Sequence, residues 1–128
     1  MIALIKKPME QFMLIEMDIP DGGVLGSFKE LYKLIDCDTV ELLNLPPEDE
    51  DDETFLTLFM DEEGKLKSDV KPNILIEVEE WNFKDALCGT IVIMKNKIDE
   101  EGESIVYNFT EDDFNHFMKF VKGEYVSI

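Results

Sequence analysis

The most strand-like run in the chain is the apolar stretch 91–94, which follows Gly89 and precedes the polar residues 95–97. Its four consecutive apolar residues leave neither side polar, so a strand here is expected to be covered on both faces. The Ile and Val residues in the run also favour extended backbone. The pattern therefore predicts a central strand over residues 89–95, on which the other segments pack.

Alternating apolar and polar positions predict further strands around this central one. Residues 1–5 and 11–19 are expected to form a hairpin, in which residues 13, 15, 17 and 19 share one apolar face. Residues 74–78 indicate a half-buried strand with an acidic outer face. The remaining predicted strands span residues 39–45, 54–60 and 104–109.

Two segments have the pattern of an amphipathic helix. Ser27 and Glu30 have the spacing of a capping box, and apolar residues recur at helical spacing after them, which predicts a helix over 28–35. Thr110 and the three acids that follow it suit the start of a second helix, because acids favour the positive end of the helix dipole. This second helix is predicted to span residues 111–122.

Together these segments predict one α+β domain over residues 1–128, with a mixed, mainly antiparallel sheet and the two short helices packed on it. One further helical turn is expected over residues 83–88, and Trp81 with Phe83 is expected to pack over the sheet. An acidic loop is predicted at 46–53, because two prolines cannot continue a strand ladder and the six acids after them repel each other.

Charge is the strongest compositional feature of the chain. Thirty acidic residues against twelve basic ones give a formal charge of −18, and all twelve basic residues are lysines. Because arginine supplies the bidentate contacts that proteins favour for phosphate and guanine, we do not expect direct nucleic-acid binding. The charge exceeds the magnitude of about 2–8 that solubility requires. Recognition of a basic partner and solubility alone both stay open.

Candidate catalytic and metal-binding residues are few. His116 is the only histidine, and we expect it to be exposed and without a catalytic role. Cys37 and Cys88 lack the spacing of metal ligands or of a secreted disulfide framework, so both are expected to be buried structural residues of a reduced, intracellular chain. The acidic turns 61–63 and 99–103 lack the alternating ligand order of an EF-hand. The sequence predicts no enzyme, no metal site and no cofactor.

The first residues do not match a targeting or membrane segment. Five residues, most of them apolar, precede the lysines at 6 and 7, whereas a signal peptide carries its charges first. The run is also too short to cross a bilayer. A cytoplasmic location without membrane association is therefore expected.

Several short motifs carry a family resemblance. They are the runs 59–66, 71–73, 85–93 and 109–114, which include the turn Asp61-Glu62-Glu63-Gly64. In these runs the chain resembles a domain family of unknown function that is carried by phages and conjugative elements and often lies near antirestriction proteins. The resemblance extends from Ile2 to Val121, and the acidic insertion at 48–53 departs from it. It implies a mobile-element protein that helps its carrier survive host defence in a bacterial cell, and it supplies no catalytic residues.

Acids presented at intervals by a folded scaffold can imitate the phosphate array of duplex DNA. Our hypothesis is a non-enzymatic phage or mobile-element protein that inhibits a host defence protein, such as a restriction or CRISPR component. It would do so by occupying the nucleic-acid-binding surface of this basic partner. The residues predicted to bind the partner are Glu48, Asp49, Glu50, Asp51, Asp52, Glu53, Asp61, Glu62 and Glu63.

Two alternatives stay open. The first is a small-ligand module, for instance a sponge for a cyclic nucleotide, which would use lysines and helix N-terminal amides in a pocket between the subunits of a homodimer. The glycines at 22, 23 and 26 lack the order of a nucleotide-binding loop, which favours a turn and a cap at that place. The second alternative is a structural or assembly protein whose charge serves solubility.

Overall fold

The computed structural model describes residues 1–64 and 71–125. This part of the chain contains nine strands, two α-helices and the short 3₁₀ turn Glu79–Trp81. In chain order the strands and helices are β1 (Ile2–Lys6), β2 (Met13–Glu16), α1 (Lys29–Ile35), β3 (Val40–Asn44), β4 (Phe55–Asp61), β5 (Pro72–Val78), β6 (Phe83–Cys88), β7 (Ile91–Ile98), β8 (Ser104–Tyr107), α2 (Glu111–Met118) and β9 (Val121–Glu124).

The strands form two sheets. Five strands of the larger sheet lie in the order β2–β1–β7–β4–β3, and β8 pairs with the second half of β7. The smaller sheet has the order β6–β5–β9. Every strand pair in the described residues is antiparallel. The predicted α+β fold with a mainly antiparallel sheet and two helices is therefore confirmed in part: strands dominate the fold, they form two sheets instead of one, and no parallel pair occurs in the described part of the chain.

The central strand is β7, as predicted. It has β4 along one edge, and β1 and β8 along successive parts of the other. Ile91 and Ile93 are fully buried in the core shared with β5 and α2, whereas Val92 and Met94 are fully buried in the core shared with α1. The run of four apolar residues thus contributes to two cores, one on each face of the larger sheet.

Helix α1 lies where a helix was predicted, but without the predicted capping box. The Ser27 hydroxyl accepts a hydrogen bond from the Lys29 N–H at 3.2 Å. The Glu30 carboxylate accepts from the Asp18 N–H at 3.1 and 3.2 Å instead of reaching back to the start of its own helix. Glu30 therefore connects α1 to the segment that leaves β2.

Helix α2 is shorter than predicted. It begins at Glu111 with a complete capping box between Thr110 and Asp113, but it ends at Met118. The prediction that it reaches residue 122 is wrong, because Val121–Glu124 forms β9 and pairs with β5. Val is β-branched and Gly is a poor helix former, so pairing with the free edge of β5 outweighs an extension of the helix over the four residues 119–122.

The helical turn predicted over residues 83–88 is also wrong, because this segment is β6. A tight connection through the turn Glu79–Trp81 and Asn82, with a φ of 50°, folds β6 back onto β5. Asn tolerates this left-handed conformation better than most residues. Phe83 packs against the core as predicted, but Trp81 is 48% exposed and does not cover the sheet.

A buried lysine connects the two sheets. Lys6 is fully buried, and its Nζ donates to Asn73 Oδ1 at 2.6 Å and to the Tyr125 carbonyl oxygen at 3.2 Å. Asn73 Nδ2 donates to the carbonyl oxygens of Lys6 and Gly89 at 2.7 and 2.8 Å. Asn73 is thus bonded to β1, to the turn before β7 and to the ammonium group. Burial lowers the pKa of Lys6, against a smaller opposing effect of nearby carboxylates.

We expect the difference in unfolding free energy between the wild type and Lys6→Met to rise with pH. The folded-state pKa of Lys6 is below its ordinary value of 10.5, so the unfolded chain binds more protons between these two pKa values. Wild-type stability therefore gains from this group as the pH rises through that window. Urea denaturation of both proteins from neutral pH to pH 10.5 measures this difference. A flat or falling difference would contradict the assignment of a lowered pKa.

Candidate functional site

The acids predicted to bind a partner lie at the two ends of one hairpin, formed by β3 and β4. The acidic loop, residues 46–53 with its six acids at 48–53, lies in the connection between the two strands, and the acidic turn, residues 61–63, starts at the other end of β4. Strand β4 has seven residues. At about 3.3 Å per residue, the two groups are roughly 20 Å apart. The structure therefore does not gather the nine acids into one cluster.

The acidic loop has a defined backbone shape. Asp49 Oδ1 accepts from the Asp51 N–H at 3.0 Å. Asp52 Oδ1 accepts from the N–H and the hydroxyl of Thr54 at 2.9 and 2.8 Å, and these bonds lower the pKa of Asp52. All six acidic side chains of the loop are nevertheless exposed. The loop therefore presents its carboxylates to solvent from a backbone that the Asp49 and Asp52 hydrogen bonds shape.

Lysines neutralise part of the acidic loop. Lys119 Nζ is 3.3 Å from Glu48 Oε1, and Lys97 Nζ is 3.9 Å from Glu53 Oε2. Both pairs are at the surface, where an ion pair contributes only about 0.2–1 kcal/mol. Among the described residues, no lysine lies within ion-pair distance of the four acids at 49–52. The four acids at 49–52 therefore carry the part of the loop's negative charge that no lysine ion pair reduces.

His116 attaches the start of the loop to α2. Its Nε2 is 2.8 Å from the Pro46 carbonyl oxygen, and its ring contacts the Phe120 ring edge-on at 5.1 Å between centroids. The expectation of an exposed histidine is wrong, because the ring is half-buried and Nδ1 has no hydrogen-bond partner within the described residues. His116 thus helps to position the loop. The contact joins residues 70 positions apart, which sequence patterns do not reveal.

Two more acidic segments lie at the same end of the larger sheet as the acidic loop. Phe55 pairs with Asn96, so the start of β4 lies beside the end of β7 and the turn at 99–103. Lys95 Nζ is 3.4 Å from Asp113 Oδ1, which holds the first turn of α2 against the same strand. Because these acids belong to turns and to a capped helix, the scaffold fixes where their negative charge is presented.

The acidic turn borders a cavity of about 300 Å³ between β3 and β6. Its lining combines carboxylates with apolar side chains, and it includes Glu41, Leu42, Leu43, Met60, Asp61, Glu62, Phe83, Asp85, Leu87 and Cys88. Asp61 is buried, and its Oδ1 accepts from the Glu63 N–H at 2.9 Å. A long cationic side chain has both an apolar stem and a charged end, so the chemistry of this lining matches lysine or arginine.

The two cysteines are half-buried rather than fully buried. Cys88 contributes to the cavity beside the acidic turn, whereas Cys37 packs at the border of the core under α1. The burial expected for both cysteines is therefore only partial.

The small-ligand alternative requires a cationic pocket near the start of α1. A cavity of about 560 Å³ lies there, with Lys29 and Lys33 in its lining. Asp18 and Glu30 line it as well, and the Asp18 N–H is already bonded to Glu30. Carboxylates beside both lysines oppose the binding of a phosphate group, so this cavity does not favour the alternative.

The described part of the chain has neither a cluster of metal-ligating side chains nor a helix that could cross a membrane. In residues 1–64 and 71–125, no three His, Cys, Asp or Glu side chains are placed so that they could hold a metal ion. No helix among the same residues has the length and apolar character needed to cross a membrane. The absence of a catalytic role stays a prediction.

Comparison with known proteins identifies a family but no activity. Neither the curated proteins nor the solved structures contain a match to this chain. A family model does match residues 1–119, a range that contains every element from β1 to α2 and both acidic segments of the β3–β4 hairpin. The match leaves phage carriage and antirestriction neighbours untested. Because it covers most of the sequence, the chain belongs to DUF3846, a family defined by a domain of unknown function.

Proposed function

We propose that this protein is a non-enzymatic, acidic inhibitor carried by a phage or another mobile element. It occupies the nucleic-acid-binding surface of a host defence protein, such as a restriction or CRISPR component, and thereby imitates DNA. The observation that carries the proposal is the placement of exposed acids at both ends of the β3–β4 hairpin, on a chain with a formal charge of −18.

The spacing of the two acidic groups is compatible with a surface built for duplex DNA. Each DNA strand carries one phosphate per about 3.4 Å of helix axis, so the separation of roughly 20 Å corresponds to about six base pairs. Between the two groups lies β3, an outer strand, on which Leu42 is 47% exposed. The exposed Leu42 thus lies between two acidic groups, and protein interfaces usually combine an apolar core with a polar rim in this way.

Long-range attraction would dominate the encounter with such a partner. The net charge steers a basic surface towards the inhibitor, and salt screens this attraction over about 8 Å at physiological ionic strength. Complementary charge of this kind acts mainly on the association rate and on the choice of partner. Steep weakening with added salt is therefore an expected property of the complex.

The mobile-element part of the proposal depends on the resemblance described above, which places related domains near antirestriction proteins. A protein with this task acts in the cytoplasm of the bacterial host, where the defence proteins are. Membership of a family of unknown function is compatible with this context.

Bacterial strains that each carry one defined restriction or CRISPR system provide the test. The chain is expressed in each strain, and the efficiency of plating of an unmodified phage is measured with and without expression. We expect plating in at least one strain to rise towards the level of the same strain without its defence system. If every strain keeps its defence while the protein accumulates in soluble form, the proposal is wrong, and a purely structural role is favoured.

A thermal-shift experiment distinguishes the inhibitor from a nucleotide sponge. We expect cyclic nucleotides to leave the melting temperature unchanged, because the cavity near α1 is lined by carboxylates as well as by its two lysines. A ligand present at 100 times its dissociation constant would stabilise the fold by about 2.7 kcal/mol and raise the melting temperature by roughly 10 °C. A rise of that size would favour the sponge over the inhibitor.

A further inference from the structure

Strand β2 is the outermost strand at one edge of the larger sheet, and its far side has no strand partner among the described residues. The Met17 N–H donates to the Met1 carbonyl oxygen at 2.9 Å, and the Met1 amino group donates to the Met17 carbonyl oxygen at 3.2 Å. Bonded and non-bonded pairs alternate along an antiparallel ladder. Leu14 and Glu16 therefore direct their N–H and C=O groups away from β1.

The next outward-directed amide along the chain already has a partner. The Asp18 N–H is bonded to the Glu30 carboxylate, so α1 covers the end of this edge. In the part of the chain that the structure describes, no comparable group bonds to the outward backbone of Leu14 or Glu16. An open edge of this kind can accept an added strand through main-chain hydrogen bonds.

An apolar groove of about 330 Å³ lies beside this edge. Its lining consists of Leu4, Phe12, Leu14, Phe109, Thr110, Glu111 and Phe114. The Phe12 ring contacts the Phe114 ring edge-on at 5.6 Å between centroids, which fixes one wall of the groove. Leu14 is 60% exposed and Met13 is 54% exposed. Soluble proteins usually protect an edge strand with charged residues or proline, so large exposed apolar side chains here indicate a docking surface.

The charges around the groove select the kind of occupant. Glu111 lines the groove, and Glu16 projects from the same face of β2 as Leu14, because alternate residues of a strand share a face. A second copy of the chain would bring another charge of −18 and another acidic edge strand against the first. Like charges across a strand pair are unfavourable, whereas a basic residue opposite Glu16 is favourable.

We propose that the β2 edge binds an extended segment of a basic partner protein, added as an antiparallel strand. The partner residue opposite Leu14 places an apolar side chain in the groove, and the residue opposite Glu16 is lysine or arginine. Because the added strand runs antiparallel to β2, the basic residue precedes the apolar one by two positions. Strands β2 and β3 are at opposite edges of the larger sheet. Binding at the β2 edge therefore does not depend on the inhibitory function proposed above.

Nuclear magnetic resonance of the ¹⁵N-labelled full chain tests this binding mode. The probe is a blocked nine-residue peptide of threonines that carries one lysine and, two positions later, one leucine. We expect shift changes centred on the amides of Leu14 and Glu16, with a dissociation constant on the order of 100 μM for so small an interface. A peptide with aspartate in place of its lysine should bind about tenfold more weakly, which corresponds to 1.4 kcal/mol for one reversed charge pair.

Variants of the strand separate edge pairing from loose apolar contact. Glu16→Pro removes an outward N–H and leaves the hydrogen bonds to β1 in place, so binding should weaken at least about tenfold. The matched control is Leu42→Pro on β3, where the ladder also directs the N–H outwards, and it should bind the peptide like the wild type. Leu14→Lys alters an exposed side chain and provides a second test if the proline variant fails to fold.

Three results would overturn the proposal. The first is no shift change at β2 at millimolar peptide, and the second is unchanged binding by Leu14→Lys. The third is a concentration-dependent shift of the β2 amides without any peptide, which would assign this edge to a second copy of the chain.

Discussion

Neutralising the middle of the acidic loop is expected to lower inhibition of the host defence protein by about 100-fold. The substitutions are D49N, E50Q, D51N and D52N, at exposed positions with no lysine within ion-pair distance in the described part of the chain. If each carboxylate contributes about 0.7 kcal/mol to binding a basic surface, four together amount to two powers of ten. Asn retains the acceptor oxygens at 49 and 52, so the bonds that shape the loop remain.

A matched control separates the position of the charge from its amount. The substitutions E10Q, D18N, E79Q and E80Q remove the same number of exposed charges from positions outside the β3–β4 hairpin. We expect this variant to inhibit almost like the wild type, and both variants to remain folded because self-repulsion falls. Equal loss of inhibition in the two variants would mean that net charge, and not the acidic loop, carries the effect.

The largest effect on stability is expected at Asn73. Asn73→Ala should lower the free energy of unfolding by about 4 kcal/mol. The substitution removes one of the two acceptors of the Lys6 ammonium group. It also removes the donor that bonds to the carbonyl oxygens of Lys6 and Gly89. The site is completely buried, so water cannot replace the lost bonds without entering the junction between the sheets. A loss of this size is a large share of the 5–15 kcal/mol that typically stabilises a domain.

Urea denaturation measures this loss. Asn115→Ala on the exposed face of α2 is the matched control and should change stability by less than about 0.5 kcal/mol. The double variant Lys6→Met with Asn73→Leu should recover part of the loss, because replacing both partners by apolar groups leaves no buried charge unpaired. A loss below about 1 kcal/mol for Asn73→Ala would show that this side chain does not hold the sheets together.

Local sequence patterns predicted the centre of the fold well and its small sheet poorly. The uninterrupted apolar run at 91–94 predicted a strand buried on both faces, because its Ile and Val residues favour extended backbone and all four of its side chains are apolar. Residues 83–88 and 121–122 were assigned to helices, whereas the strands that contain them, β6 and β9, pair with β5 in the structure. Their conformation depends on a partner strand that is distant along the chain, and local propensity does not contain that information.

In the candidate site as well, local sequence patterns predicted some features and missed those that depend on distant contacts. The acids themselves are evident in the sequence, but their separation by the length of β4 depends on the order of strands in the sheet. Sequence reasoning also missed the pairing of Glu48 with Lys119 and the bond between His116 and Pro46, each of which joins residues about 70 positions apart. The open edge of β2 was missed because a predicted strand does not reveal whether it is central or outermost.

Competition with DNA tests the central proposal most directly. A defence protein whose system is inhibited in the plating experiment is bound to labelled duplex DNA, and the acidic protein is added while the bound DNA is followed by electrophoretic mobility shift. We expect the DNA to be released at near-equimolar inhibitor, because the carboxylates and the DNA phosphates compete for the same basic surface. A stable complex that contains the defence protein, the DNA and the inhibitor together would contradict the proposal that the acids occupy the DNA-binding surface.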